Sequence, residues 1–101
     1  MSSTEVTFVR IYCTETEHLL GLLLDRLHDE EKVAGVTAFR GIAGFGGSGR
    51  IHDAGLLDMS ADLPIVIEFF DRPEKIEAVL DNLSDMVKPG HVVSWRALAN
   101  L

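Results

Sequence analysis

The 101-residue sequence predicts an α+β fold whose strands and helices follow one another in the order βαββαβ. Three observations predict it. Four short segments are rich in β-branched, aromatic and other apolar residues, which is typical of strands. Two longer segments repeat their apolar residues at helical spacing, and each begins with residues that cap helices. The chain length allows one domain, so we expect residues 1–101 to form a single unit.

The first strand is predicted from Glu5 to Cys13, because apolar residues occupy both sides of this segment. The next residues, Thr14 to Glu17, match a capping box, in which a threonine and a glutamate three positions later cap a helix start. A helix is predicted to follow, and its apolar stripe consists of Leu19, Leu20, Leu23, Leu24 and Leu27. Acidic residues lie opposite this stripe, so we expect the helix to cover one face of a sheet.

The second strand is predicted from Val36 to Ile42 and runs directly into a glycine-rich loop. The third, Leu63 to Phe70, is almost entirely apolar. The segment Asp71-Arg72-Pro73-Glu74 predicts a second helix with an acidic cap and a proline in its first turn. Its apolar stripe consists of Ile76, Val79, Leu80, Leu83 and Val87. Pro89-Gly90 is expected to end it, and a short fourth strand follows from His91 to Arg96.

This order is that of a ferredoxin-like fold, with both helices on one face of a four-stranded antiparallel sheet. The third strand is apolar on both sides, with Ile65 and Ile67 opposed by Val66. We therefore expect the face without helices to be buried against other copies of the chain. Arg10 and Glu68 are expected near that interface, either paired with each other or reaching solvent.

Composition narrows the classes of function. The formal net charge of −7 argues against binding to nucleic acid or to anionic membranes. The longest uncharged apolar stretch, Leu19 to Leu24, is too short to span a bilayer, and the first five residues lack the features of a signal peptide. We therefore expect a cytoplasmic protein without membrane insertion. The single cysteine, Cys13, excludes an internal disulfide and a Cys-x-x-Cys zinc pair, and is expected to be a buried strand residue.

The segment from Arg40 to His52 is dense in glycine. Between Lys32 and His52 there is no Asp or Glu, although the chain has sixteen. Glycine lets the backbone turn its N–H groups toward an anion, and Arg40, Arg50 and His52 add positive charge. This composition predicts a loop that binds an anion or changes conformation. The spacing of Gly44, Gly46 and Gly49 matches the dinucleotide fingerprint, but no helix follows, and the Lys and Ser/Thr of a P-loop are missing.

Three segments resemble the uncharacterised PII-like family, which is related to the nitrogen-regulatory PII signalling proteins. They are Thr37 to Gly46 (TAFRGIAGFG), Gly49 to His52 (GRIH) and Asp62 to Glu68 (DLPIVIE), and the resemblance extends over nearly the whole chain. It implies a ferredoxin-like homotrimer in signal transduction, whose intersubunit clefts bind a small regulatory ligand. That ligand is expected to be an adenine nucleotide (AMP, ADP or ATP), with no cofactor required and a protein target such as a transporter or an enzyme.

The resemblance also implies where the ligand and the target bind. The loop from Gly41 to roughly Ser60 resembles the mobile loop with which PII proteins engage a target, and its base at Arg40 and Gly41 would line the cleft. The turn Lys88 to His91 resembles the loop that wraps phosphates, but it is shorter and has one glycine. Arg96 is the only C-terminal basic candidate. The candidate ligand-binding residues are Arg40, Gly41, Gly44, Phe45, Gly46, Arg50, Lys88, Gly90 and His91. Phe45 either stacks on a base or anchors the loop.

A catalytic function is not expected. His52 with Asp53 and Asp58 offers a base and an orienting carboxylate, but no rigidly placed nucleophile accompanies them. The alternative hypothesis is a small metal-binding or ligand-degrading oligomer that uses His52, these carboxylates and Cys13. The other histidines are scattered and are expected at the surface, so no metal site is assigned.

Overall fold

The structure is a computed structural model, which describes residues 2–45, 51–53 and 62–101. In chain order its strands and helices are β1 (Thr4–Thr14), α1 (Leu19–Asp25), β2 (Val36–Arg40), β3 (Ala43–Phe45), β4 (Ile51–Asp53), β5 (Pro64–Asp71), α2 (Pro73–Leu83) and β6 (Val92–Ala99). The main sheet is antiparallel and has the order β2-β5-β1-β6. The predicted ferredoxin-like α+β fold is therefore confirmed.

The core lies between the helices and one face of this sheet. Strand β1 is central, and its Val9 and Ile11 lie opposite Phe69 and Ile67 of β5. Every second residue of both strands faces the helices, as the two-residue period of a strand requires. The buried core cluster consists of Val9, Ile11, Cys13, Leu23, Leu27, Ile65, Ile67, Phe69, Ile76, Val79 and Leu83. The predicted apolar stripes of both helices contribute to this cluster, and Cys13 is buried as expected.

The other face of the sheet carries no helix and is rich in aromatic residues. The ring of Phe8 stacks at a centroid distance of 4.7 Å on Trp95 and 6.0 Å on Phe70. Arg10 and Glu68 lie opposite each other in register and form an ion pair, and the guanidinium carbon of Arg10 lies 5.7 Å from the Trp95 ring centroid. Of the two arrangements expected for Arg10 and Glu68, the structure contains the mutual pair.

The first helix begins later than the capping box predicts. The box is present, since the backbone N–H and the hydroxyl of Thr14 both donate to Glu17 Oε1 at 3.2 Å, but it caps a short 3₁₀ turn, Glu15–Glu17. His18 then takes a left-handed conformation with φ 55°, so α1 starts at Leu19. Beyond α1, residues Arg26–Glu30 continue with the wider hydrogen bonding of a π-helix.

The second helix and the last strand also differ from their predicted limits. Helix α2 ends at Leu83, before the predicted stop at Pro89-Gly90, because the N–H and hydroxyl of Ser84 both turn back to the Asp81 carbonyl at 3.3 and 2.8 Å. Its N-cap is Arg72 rather than an acidic residue. Strand β6 extends to Ala99, since its whole length pairs with β1.

The predicted second strand is two residues shorter than expected, and the predicted glycine-rich loop contains two further short strands. Strand β2 ends at Arg40, and β3 pairs with β4 in a separate two-stranded sheet, in which Gly44 lies opposite His52. The predictions that concern Gly46, Arg50 and residues 54–60 of the target loop fall outside the described residues. In the described parts of the chain, no helix is both long and apolar enough to cross a membrane.

Candidate ligand-binding site

The 3₁₀ turn Glu15–Glu17, between β1 and α1, is the junction at which the candidate segments meet. Its Glu15 N–H donates to the Leu63 carbonyl at 3.1 Å. The backbone N–H and the hydroxyl of Thr16 donate to the two carboxylate oxygens of Asp62 at 2.8 and 2.6 Å. These bonds hold the turn against the start of β5, which explains why it does not continue into α1.

Arg40, the last residue of β2, pairs with this turn. Its Nε contacts Glu15 Oε1, an oxygen that is buried and has no other polar partner among the described residues. The Arg40 side chain is nevertheless 66% exposed. The guanidinium therefore pairs with a carboxylate through Nε while most of the side chain is exposed to solvent. Its other N–H groups can donate hydrogen bonds to the oxygens of a phosphate.

A shallow depression of about 320 Å³ lies beside this ion pair. Its lining residues are Glu15, His18, Leu20, Gly21, Arg40 and Ile65. The arrangement combines a cation at the edge with apolar side chains, which is the usual composition of small-molecule sites.

Two glycines of the loop base pack against Pro64. A Cβ at Gly41 would lie 2.6 Å from Pro64 Cγ, and the Gly41 N–H donates to the Pro64 carbonyl at 2.7 Å. A Cβ at Gly44 would lie 3.4 Å from the same Cγ. In this structure Gly41 therefore provides a close approach of two backbone segments, and its N–H is engaged within the protein. Phe45 is 73% exposed, as stacking on a base requires.

The turn from Lys88 to His91 docks on the end of β1. Gly90 has φ +83°, a left-handed conformation that favours glycine, and the His91 N–H donates to the Lys88 carbonyl at 3.1 Å. The Tyr12 N–H donates to the His91 carbonyl at 2.8 Å. Lys88 Nζ lies 4.0 Å from Glu17 Oε2, and its side chain is 70% exposed. A second depression of about 350 Å³ is bordered by Lys88 and Gly90.

The fold thus brings two predicted cations to one turn: Arg40 pairs with Glu15, and Lys88 pairs with Glu17. Sequence reasoning treated Glu15 and Glu17 only as part of a helix cap. Asp62, which holds Thr16, belongs to the segment Asp62 to Glu68, whose sequence does not indicate this contact. A Thr-Glu-Thr-Glu run directly after a strand was the available signal, but only the antiparallel sheet places β2, β5 and the α2–β6 turn around it.

The comparisons with known proteins agree with this architecture. Residues 6–99 match the model of DUF190, a family described as "Uncharacterized ACR, COG1993". The chain belongs to the DUF190 family. A UPF0166 protein of Aquifex aeolicus is 35% identical over 80 residues, which cover 74% of this chain and 75% of the relative.

Solved structures of PII-like proteins share the fold of this DUF190 chain. CPII from Thiomonas intermedia K12, bound to ADP and bicarbonate, superposes with a TM-score of 0.75 at 18% identity, covering 99% of this chain and 93% of CPII. Another CPII structure contains ADP, AMP and bicarbonate. A PII-like signaling protein of Thermus thermophilus gives a TM-score of 0.64 at 17% identity, covering 98% and 91% of the two chains. At these identities the likeness establishes the fold.

Arg96 lies apart from the other candidates of the DUF190 chain. It is opposite Thr7 on β1 and lies 3.6 Å from Glu5, with a side chain that is 89% exposed. Thr7 and Thr14 are seven residues apart, or about 23 Å along a strand. Within one subunit Arg96 therefore does not reach the Glu15–Glu17 turn.

The residues of the alternative hypothesis are only partly described. The backbones of His52 and Asp53 lie in β4, whereas Asp58 falls outside the described residues. Among those that are described, no group of three or more His, Cys, Asp or Glu residues is placed to hold a metal ion. Burial, with a smaller contribution from Glu17, raises the pKa of Cys13 to about 11, so its thiol is protonated at neutral pH.

Proposed function

We propose that this DUF190 chain, as a single domain of residues 1–101, is a PII-like regulatory protein that binds an adenine nucleotide and catalyses no reaction. The observation that carries the proposal is the convergence of Arg40 and Lys88 on the Glu15–Glu17 turn. These cations come from distant parts of the chain, and the exposed sides of both point to solvent beside depressions of ligand size.

The chemistry of the site favours a phosphorylated ligand. Guanidinium and ammonium groups form their strongest hydrogen bonds with phosphate and carboxylate oxygens. Arg40 and Lys88 would bind the phosphates, and the turn that contains Gly90 would wrap around these phosphates. Phe45 would stack on the base. Gly46 and Arg50 remain proposed contributors from the glycine-rich loop. The ADP and AMP bound to CPII, which shares this fold, support a nucleotide of the same kind.

The assembly proposed is a homotrimer with the helix-free faces of the sheets turned inward. That face leaves large apolar side chains exposed, including Phe39 at 51% and Val93 at 46%, and a soluble protein normally covers such a surface. In a trimer each ligand cleft would lie between subunits, and Arg96 of one subunit could approach the cleft of another.

The regulatory step proposed is a change in the loop from Gly41 to about residue 60, which would engage or release a protein target in the cytoplasm, such as a transporter or an enzyme. A ligand shifts such a loop only if it binds one loop conformation more tightly than another. Arg40 and Gly41 connect the loop base to the cleft, so a ligand that contacts Arg40 acts directly at the loop base.

The test is calorimetric titration of nucleotide-free protein with AMP, ADP, ATP and cyclic AMP, with and without magnesium. We expect saturable binding of about one nucleotide per subunit. Arg40→Ala should weaken ADP binding by at least about tenfold, because one charge-assisted contact to phosphate is lost. Arg72→Ala, which removes an exposed cation at the start of α2, is the matched control and should leave affinity unchanged. Absence of binding across the panel would contradict the proposal.

A further inference from the structure

The two cations proposed to bind phosphate are each paired with a carboxylate in the structure. Arg40 contacts Glu15, and Lys88 lies 4.0 Å from Glu17. The two glutamates are two residues apart in one 3₁₀ turn, so they are separated by about 4 Å along its axis. The turn therefore holds a carboxylate beside each of the two cations proposed to bind phosphate.

We propose that Glu15, and more weakly Glu17, compete with the ligand for Arg40 and Lys88 and so set the affinity of the site for phosphorylated ligands. This inference rests on the proposed function and adds the residues that oppose binding. An incoming phosphate must replace each carboxylate as the partner of its cation, and the free energy of binding is reduced by the interactions that are given up.

The two pairs are unequal. Glu15 Oε1 is buried, and Arg40 is its one polar partner among the described residues. The Glu15 side chain as a whole is 34% exposed, but moving Arg40 toward a phosphate leaves its buried oxygen without a partner, which is costly. The contact between Lys88 and Glu17 is longer, at 4.0 Å, and the Lys88 side chain is largely exposed, so this pair contributes little. Glu15 is therefore the main competitor and Glu17 the minor one.

The turn is well placed for this role because it does not move easily. Asp62 holds Thr16 through two hydrogen bonds, and the Leu63 carbonyl holds the Glu15 N–H. The backbone of the turn is thus held against the start of β5, whereas the Arg40 and Lys88 side chains are exposed for most of their surface. A ligand therefore redirects the cations rather than the turn.

The test compares Glu15→Gln and Glu17→Gln with the unmodified protein, using ADP and inorganic pyrophosphate as ligands at constant ionic strength. Glutamine keeps the size of glutamate and removes its charge, and it also preserves a capping box. Glu77→Gln, at an exposed position of α2, makes the same change in net charge and serves as the control. Calorimetry gives each dissociation constant.

We expect Glu15→Gln to tighten ADP and pyrophosphate binding by roughly tenfold, Glu17→Gln by about twofold, and Glu77→Gln by less than either. Unchanged or weaker binding in Glu15→Gln would overturn the inference, since Glu15 would then be inert or would position Arg40 for the ligand. If Glu15→Gln does not fold, Glu17→Gln decides alone: tighter binding than in Glu77→Gln supports the inference, and equal binding overturns it.

The two ligands separate this inference from the proposed function. If ADP binds the unmodified protein and Glu15→Gln equally, the competition is wrong and nucleotide binding stands. If ADP binds no better than pyrophosphate, yet pyrophosphate binds Glu15→Gln more tightly, the competition stands and adenine recognition fails. If neither ligand binds any variant, both proposals are wrong.

Discussion

Gly41 occupies a position at which packing against Pro64 leaves no room for a side chain. The residue directly after β2 approaches Pro64 so closely that a Cβ would lie 2.6 Å from its Cγ and 3.4 Å from its carbonyl oxygen. Proline is a rigid ring at the start of β5, so the neighbour has little freedom to move. Gly41 therefore fixes the position at which the glycine-rich segment leaves the sheet.

Gly41→Ala should lower the free energy of unfolding by about 1–3 kcal/mol, the usual cost of inserting a methyl group into a filled space. Gly35→Ala is the control, because a Cβ there meets nothing within 4 Å. Urea unfolding of both variants measures the difference. Equal stabilities would show that the start of β5 adjusts without cost.

Cys13 makes the free energy of unfolding depend on pH in the alkaline range. Burial first, and Glu17 second, raise the pKa of its thiol from 9.0 to about 11. The folded state thus holds the proton more tightly than the unfolded state. The contribution of the Cys13 thiol to the free energy of unfolding is complete below pH 9. It is lost as the pH rises to 11, because the thiol ionises at lower pH in the unfolded state. Two pKa units correspond to about 2.7 kcal/mol.

Cys13→Ala isolates this contribution from the other groups that titrate at alkaline pH. We expect the free energy of unfolding of the native sequence to exceed that of Cys13→Ala at about pH 8, and the difference to shrink by about 2 kcal/mol at about pH 11. Urea unfolding at both pH values measures it. A difference that does not change with pH would contradict the raised pKa.

At the scale of elements, the sequence predicted the type of the main strands and helices, but not where several of them begin and end. The capping box at Thr14 was identified correctly, yet long-range bonds from Asp62 and Leu63 hold its turn apart from α1. Such partners are invisible to local patterns. The strands β3 and β4 were not predicted for a similar reason, since each is three residues long and β3 pairs only with β4 in the described part of the chain.

The candidate site could be predicted only in part, again because contacts between distant parts of the chain form it. Arg40 and the Lys88 turn were selected from composition and from family resemblance. Their meeting at one turn depends on the strand order, which no spacing in the sequence reveals. Glu15 and Glu17 have an ordinary role as cap residues, so nothing in their pattern marked them as partners of the site.

At the scale of the whole molecule, the helix-free face is the surface proposed for assembly. It carries stacked aromatic rings and exposed apolar side chains beside the Arg10–Glu68 pair. Ion pairs that lose contact with solvent contribute little stability but penalise wrong partners. In the proposed trimer the pair would therefore favour one orientation of the subunits.

Val93→Asp should dissociate the proposed trimer, because it places a charge at an exposed apolar position of this face. Leu22→Asp is the matched control, since Leu22 is also exposed, at 59%, but lies on α1. Light scattering coupled to size-exclusion chromatography gives the mass of each variant. Subunit association that survives in Val93→Asp would place the interface elsewhere.

The central strand β1 serves two purposes through alternate residues. Val9, Ile11 and Cys13 face the core, while Phe8 and Arg10 face the surface proposed for assembly. Insertion of a single residue within β1 would exchange the two sets beyond the insertion, so the separation of the two faces depends on the length of β1. Substitutions that keep this length can alter folding stability on one side and subunit association on the other, which lets the two properties evolve separately.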